Sequence, residues 1–420
     1  LPTNAGSNGQ VLTTNGSGIL SWTTASGGGL QYFTENRNTT APNATRPVHQ
    51  LAATGTEADI DLALSPKGNG ALTAQRADGT LTGGNKRGAN AVDLQTSRSQ
   101  ASRVASGIYS VVSGGADNTA SGSSSTVGGG SENTASGLSS AVGGGFQNTA
   151  SGLVSTASGG IYNTASGNWS TVSGGQNNTA SDTLSVVSGG FFNVASGVYS
   201  FIGGGSENTV SHEYSTIVGG KNNSVAAPFS IVSGGVGNSI TAGVSTIGGG
   251  LDNSVTASYG TIGGGEDNQA NGERSTVAGG TNNIAGFIAT VSGGGHNQAL
   301  GSGSTIGGGI ANIASGENTA IVGGYGLTLS GSGSVGYLGN NNDGSRDMTI
   351  SAANTAVFGN VDMWLVNNDN TAHELRMYEA SGSGSNYTAF KAGAQSADIV
   401  YTLPTNAGSN GQVLTTNGSG

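Results

Sequence analysis

A repeat of 15 residues runs through the sequence from about residue 104 to residue 330. Three neighbouring copies, SGGADNTASGSSSTV, GGGSENTASGLSSAV and GGGFQNTASGLVSTA, show the pattern. A short period that is kept over many copies is typical of a solenoid, in which each copy makes one coil and stacks on the next. The repeat therefore predicts stacked coils rather than a single globular core.

Two apolar columns run through the repeat. One is a Val, Ile or Ala shortly before each Gly-Gly pair, as at Val172, and the other is a small apolar residue shortly after the repeated Asn, as at Ala180. Ser and Thr occupy the alternate positions, and this alternation of small and β-branched residues favours strands over helices. The sequence predicts an all-β fold, a parallel β-roll or β-solenoid of about 15-residue coils with two short strands per coil.

Each copy also carries one Asn in a Gly-Gly-x-x-Asn pattern. Gly and Asn are the residues that best tolerate positive φ in tight turns. We therefore predict that each pattern forms a corner of the coil and that the Asn adopts the positive φ. The structural corner residues are Asn118, Asn133, Asn148, Asn163, Asn178, Asn193, Asn208, Asn223, Asn238, Asn253, Asn268, Asn283, Asn297 and Asn312.

The core of a single coil is small. Two small apolar residues bury too little surface, at about 25 cal/mol per Å², to offset roughly 1–2 kcal/mol of backbone entropy for each ordered residue. Coil stacks laid side by side would give every coil a second buried face, and a three-fold arrangement closes without free edges. We therefore expect an obligate homotrimer.

Composition argues against an enzyme and against two classes of partner. Of 420 residues, 79 are Gly, 9% are charged and none is Cys, and the four His are scattered, so we predict no catalytic residue, no cofactor and no metal site. Residues 104–338 carry ten acidic side chains against two basic ones. This balance disfavours nucleic acid and anionic membranes. No apolar run is long enough for membrane insertion.

One variable position of the repeat, three residues before the Val or Ile column, is aromatic in six coils. Aromatic rings stack on sugars and anchor protein interfaces. The rings therefore either contact a ligand or fill gaps between the chains of the trimer. The candidate ligand-binding residues are Tyr109, Trp169, Tyr199, Tyr214, Phe229 and Tyr259. A second apolar group lies at the corners and comprises Phe146, Ile161, Tyr162, Phe191 and Phe192.

The flanks differ from the repeat. Residues 1–18 are identical to 403–420, so we expect the two ends to mark the same point of a larger modular array. We divide the chain into a connector repeat (1–29), a β-rich shaft module with a predicted hairpin over 59–72 (30–103), the β-roll array (104–338), a small β-domain (339–402) and a second connector repeat (403–420).

The units of the form NTASGxxSTVSGG resemble the head repeats of trimeric autotransporter adhesins, which form a left-handed parallel β-roll in each of three chains. The segments KRGANAVDLQTSRSQASRVASG, HELRMYEASGSGSNYTAFKAG and YTLPTNAGSNGQVLTTNGSG resemble shaft and connector modules of phage tail fibres and of the mosaic trimeric adhesive fibres of predatory bacteria. The resemblance implies an extracellular, non-enzymatic fibre of a cell surface or virion. Such a fibre would attach to a host, prey or cell surface through glycans or surface proteins.

Two other functions stay open. The chain could be a purely mechanical shaft whose recognition tip lies elsewhere. It could also be an ice-binding solenoid, because a column of Ser side chains repeats regularly along the coils. That column contains Ser110, Ser125, Ser140, Ser155, Ser170, Ser185 and Ser200.

Overall fold

The structure is a computed structural model that describes residues 66–339 without a break. It also describes the shorter stretches 7, 10–14, 17, 19–24, 33–38, 48–53, 64, 348–363, 374–379 and 386–391. The chain divides into two compact units, Leu1–Ser136 and Gly137–Gly420. All regular elements of the described residues are strands, and parallel coils stack about 15 residues apart, so the predicted all-β solenoid is confirmed.

The first unit contains two antiparallel hairpins and the first stacked coils. Its hairpins pair Gln10–Thr14 with Leu20–Thr24, and Phe33–Asn38 with Val48–Ala53. Its parallel strands are Leu72–Thr73, Val92–Asp93, Val111–Val112 and Thr126–Val127 in one ladder, and Thr119–Ala120 and Thr134–Ala135 in another. Parallel coiling thus starts inside the stretch that the sequence assigned to a shaft module. The first strand of the hairpin predicted over 59–72 lies largely outside the described residues, and Leu72–Thr73 at the end of that segment pairs in parallel with Val92–Asp93.

The second unit contains two long parallel ladders, and every coil contributes one strand to each. The first ladder consists of Ala141–Val142, Thr156–Ala157, Thr171–Val172, Val186–Val187, Phe201–Ile202, Thr216–Ile217, Ile231–Val232, Thr246–Ile247, Thr261–Ile262, Thr276–Val277, Thr290–Val291, Thr305–Ile306, Ala320–Gly324, Val335–Leu338 and Ala356–Gly359. The second consists of Thr149–Ala150, Thr164–Ala165, Thr179–Ala180, Val194–Ala195, Thr209–Val210, Ser224–Val225, Ser239–Ile240, Ser254–Val255, Gln269–Ala270, Ile284–Ala285, Gln298–Ala299, Ile313–Ala314, Leu327–Leu329 and Met348–Ile350.

The end of the second unit departs from the regular coil. Both ladders extend past residue 338, because Met348–Ile350 and Ala356–Gly359 pair in parallel with the preceding coil. The last described element is an antiparallel hairpin of Glu374–Tyr378 and Tyr387–Lys391. Both strands of this hairpin lie in the stretch predicted as a small β-domain, 339–402, whereas the second connector repeat, 403–420, lies outside the described residues.

The core consists of one inward residue per strand. In the two-residue strands from Val92–Asp93 onward the second residue is fully buried, as at Val172 and Ile202 in the first ladder and Ala180 and Val210 in the second. Each buried residue pairs with the buried residues at the same position of the two neighbouring coils, as Val187 does with Val172 and Ile202. Burial of these columns fixes the strand register, because a shift by one residue would turn every apolar side chain outward.

Glycine is required where coils approach each other most closely. Gly175 has φ +85°, and a Cβ there would lie 2.2 Å from the carbonyl oxygen of Gly190 in the next coil. Its neighbour Gly174 has open space around the position of a Cβ. Of each Gly-Gly pair, the second member therefore determines how closely the coils stack.

Candidate functional site: the two edges of the coil

The six aromatic residues singled out in the sequence all lie at one edge of the coil. Each is the second residue of the two-residue turn that leads from a second-ladder strand to the next first-ladder strand, and we name this row the turn column. All six have φ between 53° and 61°. Their exposed fractions run from 47% at Trp169 to 61% at Tyr109. The side chains thus point away from the core of their own coil.

The left-handed backbone of the turn column is held by hydrogen bonds between coils. The amide of Tyr214 donates to the carbonyl of Val198 at 2.9 Å, and the amide of Phe229 donates to that of Glu213 at 3.2 Å. A bulky side chain in this conformation is unusual and costs about 1–2 kcal/mol. The ladder of stacked turns therefore imposes the conformation on whichever residue occupies the position.

Three rings of the turn column stack face to face. Tyr199 and Tyr214 have ring centroids 4.9 Å apart and planes inclined by 11°, and Tyr214 and Phe229 have centroids 5.2 Å apart with planes inclined by 4°. Further along, the guanidinium of Arg274 lies 5.5 Å from the ring centre of Tyr259. Both faces of Tyr214 are therefore covered by its neighbours, and the ring edges face outward.

The turn column also contains aliphatic residues that were not predicted from the sequence. Val154, Leu184 and Val244 occupy the same position in the coils between the rings, and all three are exposed. They were missed because only aromatic members of that position were considered. The signal was present, since the same spacing places them in the column.

The corner Asn residues lie near the opposite edge and are almost completely buried. The prediction that these Asn residues adopt a positive φ is wrong. The left-handed residue is the one just before the Asn, as at Asn177 with φ 55°, Glu207 with φ 60° and Asp252 with φ 52°. We name this preceding row the corner column. Because the Asn itself is buried, its side chain rather than its φ explains why it recurs.

Asn178 shows what the buried amide does. Its Nδ2 donates to the carbonyls of Gly174 at 3.0 Å and Gly190 at 2.8 Å, and lies 3.2 Å from Asn163 Oδ1. Its Oδ1 accepts hydrogen bonds from the backbone amide and Nδ2 of Asn193, both at 3.1 Å. The amides thus form a ladder that satisfies buried backbone groups, in the manner of stacked Asn side chains in other cross-β arrays.

The second apolar group of the sequence analysis lies at this corner edge. Phe146 and Tyr162 form an edge-to-face pair with centroids 5.6 Å apart, and Phe191 and Phe192 form another at 4.4 Å. Ile161 is exposed beside them. These side chains make local pairs and no continuous stack.

A buried polar cluster in the first unit was not found from the sequence. Asp93 Oδ2 accepts a hydrogen bond from Arg87 Nε at 2.8 Å and lies 4.0 Å from Arg98 Nη2. Burial first, and then the charge of Arg87, lower the pKa of Arg98. Gln95 Oε1 accepts from the amide of Asn118 at 2.9 Å. Gln95 therefore takes the place of a corner Asn at the start of the amide ladder, and no periodic signal marks it.

The Ser column on which the ice-binding hypothesis depended points inward. Ser125, Ser155, Ser170 and the other members of the column are buried beside the apolar core. These hydroxyl groups cannot meet an ice surface, because a contact with ice requires exposed side chains. The hypothesis is wrong for this column.

The hairpin at 374–391 presents a small polar and aromatic cluster. The guanidinium of Arg376 lies 4.5 Å from the ring centre of Tyr387, whose ring is 5.3 Å from that of Tyr378. Hydrogen bonds to Tyr378 and Glu374 raise the pKa of Arg376. The groups are exposed, so the cluster is an open surface and not an enclosed pocket.

Within the described ranges, no three His, Asp or Glu side chains lie close enough together to hold a metal ion. The same residues include no helix that could cross a membrane. Neither a protein-family model nor a curated protein sequence matches the chain. The repeated strands and columns define the molecule as a β-solenoid repeat protein.

Proposed function

We propose that this β-solenoid is a segment of an extracellular, homotrimeric fibre that attaches to a host, prey or other cell surface. The observation that carries the proposal is repetition of an exposed position. The turn column presents a left-handed, outward-pointing side chain in coil after coil, and its rings at Trp169, Tyr199 and Tyr214 are about half exposed. A row repeated in this way suits a fibre: it can form the seam between the chains, and wherever such rows stay exposed in the assembly they can make many weak contacts with glycans or surface proteins, whose strengths multiply through avidity.

The thin core supports the trimer. Each regular coil buries one residue from each of two strands, and the second-ladder residue is often Ala, as at Ala165, Ala180 and Ala195. Meanwhile large apolar side chains remain exposed at both edges. Burial of those side chains between chains would supply the apolar surface that the coils lack.

A purely mechanical shaft is the second candidate, and the ring geometry favours it. Sugar rings stack on the faces of aromatic side chains. The faces of Tyr214 are covered by Tyr199 and Phe229. A shaft would use the turn column for assembly only and would leave recognition to a tip elsewhere.

Two measurements on the intact chain test the proposal. Light scattering should give three times the chain mass of 40.7 kDa, and dilution should not release a folded monomer. The assembled protein should then bind to a glycan array or to target cells. Its binding should weaken sharply when the glycan is displayed at low surface density, because fewer contacts can then form at once. A stable monomer contradicts the fibre, whereas an assembled protein that binds no surface supports the shaft.

A further inference from the structure

We propose that the turn column from Val154 to Tyr259 is the seam through which copies of this chain pack against one another. The inference rests on the homotrimer of the proposed function and names its interface. It assigns the rings in this stretch to contact with a partner chain rather than with a ligand. Tyr109 lies outside the stretch and keeps its place as a candidate ligand contact.

Continuity distinguishes this column from every other exposed row at the two edges. Eight successive coils place a large apolar side chain at the second turn position, and none of the eight is polar or charged. They are Val154, Trp169, Leu184, Tyr199, Tyr214, Phe229, Val244 and Tyr259. In the corner column of the same coils, only Tyr162 and Phe192 are large and apolar.

The exposed apolar area of the turn column is at the upper end of what a free monomer surface shows. A ring buries about 150–250 Å² when fully covered, so five half-exposed rings leave about 500 Å², and the three aliphatic members add to it. The largest apolar patch on a typical monomer is about 300–600 Å². Phe201 and Ile231, which are also exposed, extend the patch on the adjoining strands. The total approaches the roughly 800 Å² per partner of a standard specific interface.

Charge decides which edge can approach a second copy. Around the seam, Glu213 is the one charged residue at either turn position between 153 and 259. The corner edge of these coils carries Glu207, Lys221 and Asp252. Two copies that meet along the second turn position can leave Glu213 and the half-buried Asp182, which precedes the turn, at the rim. The corner column itself contains Glu207 and Asp252, which two corner edges would have to bury.

The same chain is the occupant that fits this surface. Its coils are held in parallel register, as Thr216 with Phe201 and Ile231, so a second copy repeats the side chains of the column at the same spacing. In-register packing places each ring against the equivalent stretch of the partner along eight coils. The stacked rings offer their edges outward, which pack against other side chains but give a sugar no free face at Tyr214.

Cross-linking tests the seam directly, because the chain contains no Cys. Val244→Cys places a thiol in the seam, and Asn222→Cys places one in the corner column. Both positions are exposed and left-handed, with φ of 58° and 55°, so the two variants carry the same backbone strain. With a short bis-maleimide, Val244→Cys should give covalently joined chains, and Asn222→Cys should give almost none.

A second pair of variants keeps the test independent of cross-linker reach. Tyr214→Ser should raise the concentration needed for assembly by at least about tenfold, as expected for a buried interface ring. Phe192→Ser, at an exposed left-handed position of the corner column, should leave assembly unchanged. A trimer that cross-links only through Asn222→Cys, or that tolerates Tyr214→Ser as well as Phe192→Ser, overturns the seam and leaves the fibre standing. A wild-type monomer in light scattering would instead overturn the fibre itself.

Discussion

Replacement of Asn178 by Ala tests the role that the structure gives to the corner Asn. The change removes the hydrogen bonds that Nδ2 donates to the carbonyls of Gly174 and Gly190. It also leaves the buried backbone amide of Asn193 without its acceptor, Asn178 Oδ1. An unpaired buried donor costs about 1–3 kcal/mol, and each further lost hydrogen bond costs about 0.5–1.5 kcal/mol. The variant should therefore lose about 2–6 kcal/mol per chain.

The matched control is the preceding residue of the corner column. Asn177→Ala puts an Ala at φ 55° and should cost only about 1 kcal/mol, because Ala tolerates the left-handed conformation less well than Asn, whose short polar side chain can hydrogen-bond locally. Denaturant midpoints at one fixed protein concentration should rank the two variants, and hydrogen exchange should show that the amide of Asn193 loses protection in Asn178→Ala alone. Equal losses, or a larger loss at Asn177, would refute the amide-ladder account. Asn178→Asp, which points a carboxylate oxygen at two carbonyls, should be worse than Ala.

Three further changes test the packing and the charges. Gly175→Ala should destabilise the protein by more than about 3 kcal/mol, since a Cβ there meets backbone that cannot yield, whereas Gly174→Ala should be nearly neutral in the same melt. Asp93→Asn should cost about 3–5 kcal/mol, because it leaves two buried guanidinium groups uncompensated; a loss below 1 kcal/mol in denaturant titration would contradict the buried pair. Hydrogen bonds from Thr80, above all from its hydroxyl, lower the pKa of Asp78. The ionised Asp78 therefore stabilises the folded chain at pH values above its unfolded-state pKa, and this contribution is lost as pH falls through the folded-state pKa. Thr80→Val should raise that pKa in an NMR titration, and an unchanged titration curve would exclude the hydroxyl as the cause.

The sequence alone determined the repeat architecture. The length of the repeat, the two strands per coil and the inward columns could all be predicted from residues such as Val172 and Ala180. Every coil obeys the same two constraints, so the same pattern recurs along the sequence. A strand must bury one face, and each coil must match the next. The stretches that deviate from the period were less predictable: the longer coils around Val92–Asp93 and Ala356–Gly359 continue the ladders without a 15-residue signal.

Only the tertiary structure decided which side chains meet. The sequence located the corner near Asn178 but assigned the positive φ one residue too late, because neighbouring Asn residues have the same intrinsic tolerance and only stacking on the adjacent coil separates them. It found the ring position of Tyr214 but not the face-to-face stack, which exists because parallel in-register coils place equivalent side chains about 5 Å apart. It missed the pairing of Arg87 with Asp93, since a pair buried once at the start of a coil stack has no repeat to reveal it. Because the coil repeats, its strands and buried positions can be predicted from the sequence. Contacts between side chains of different coils depend on distances that only the folded chain fixes.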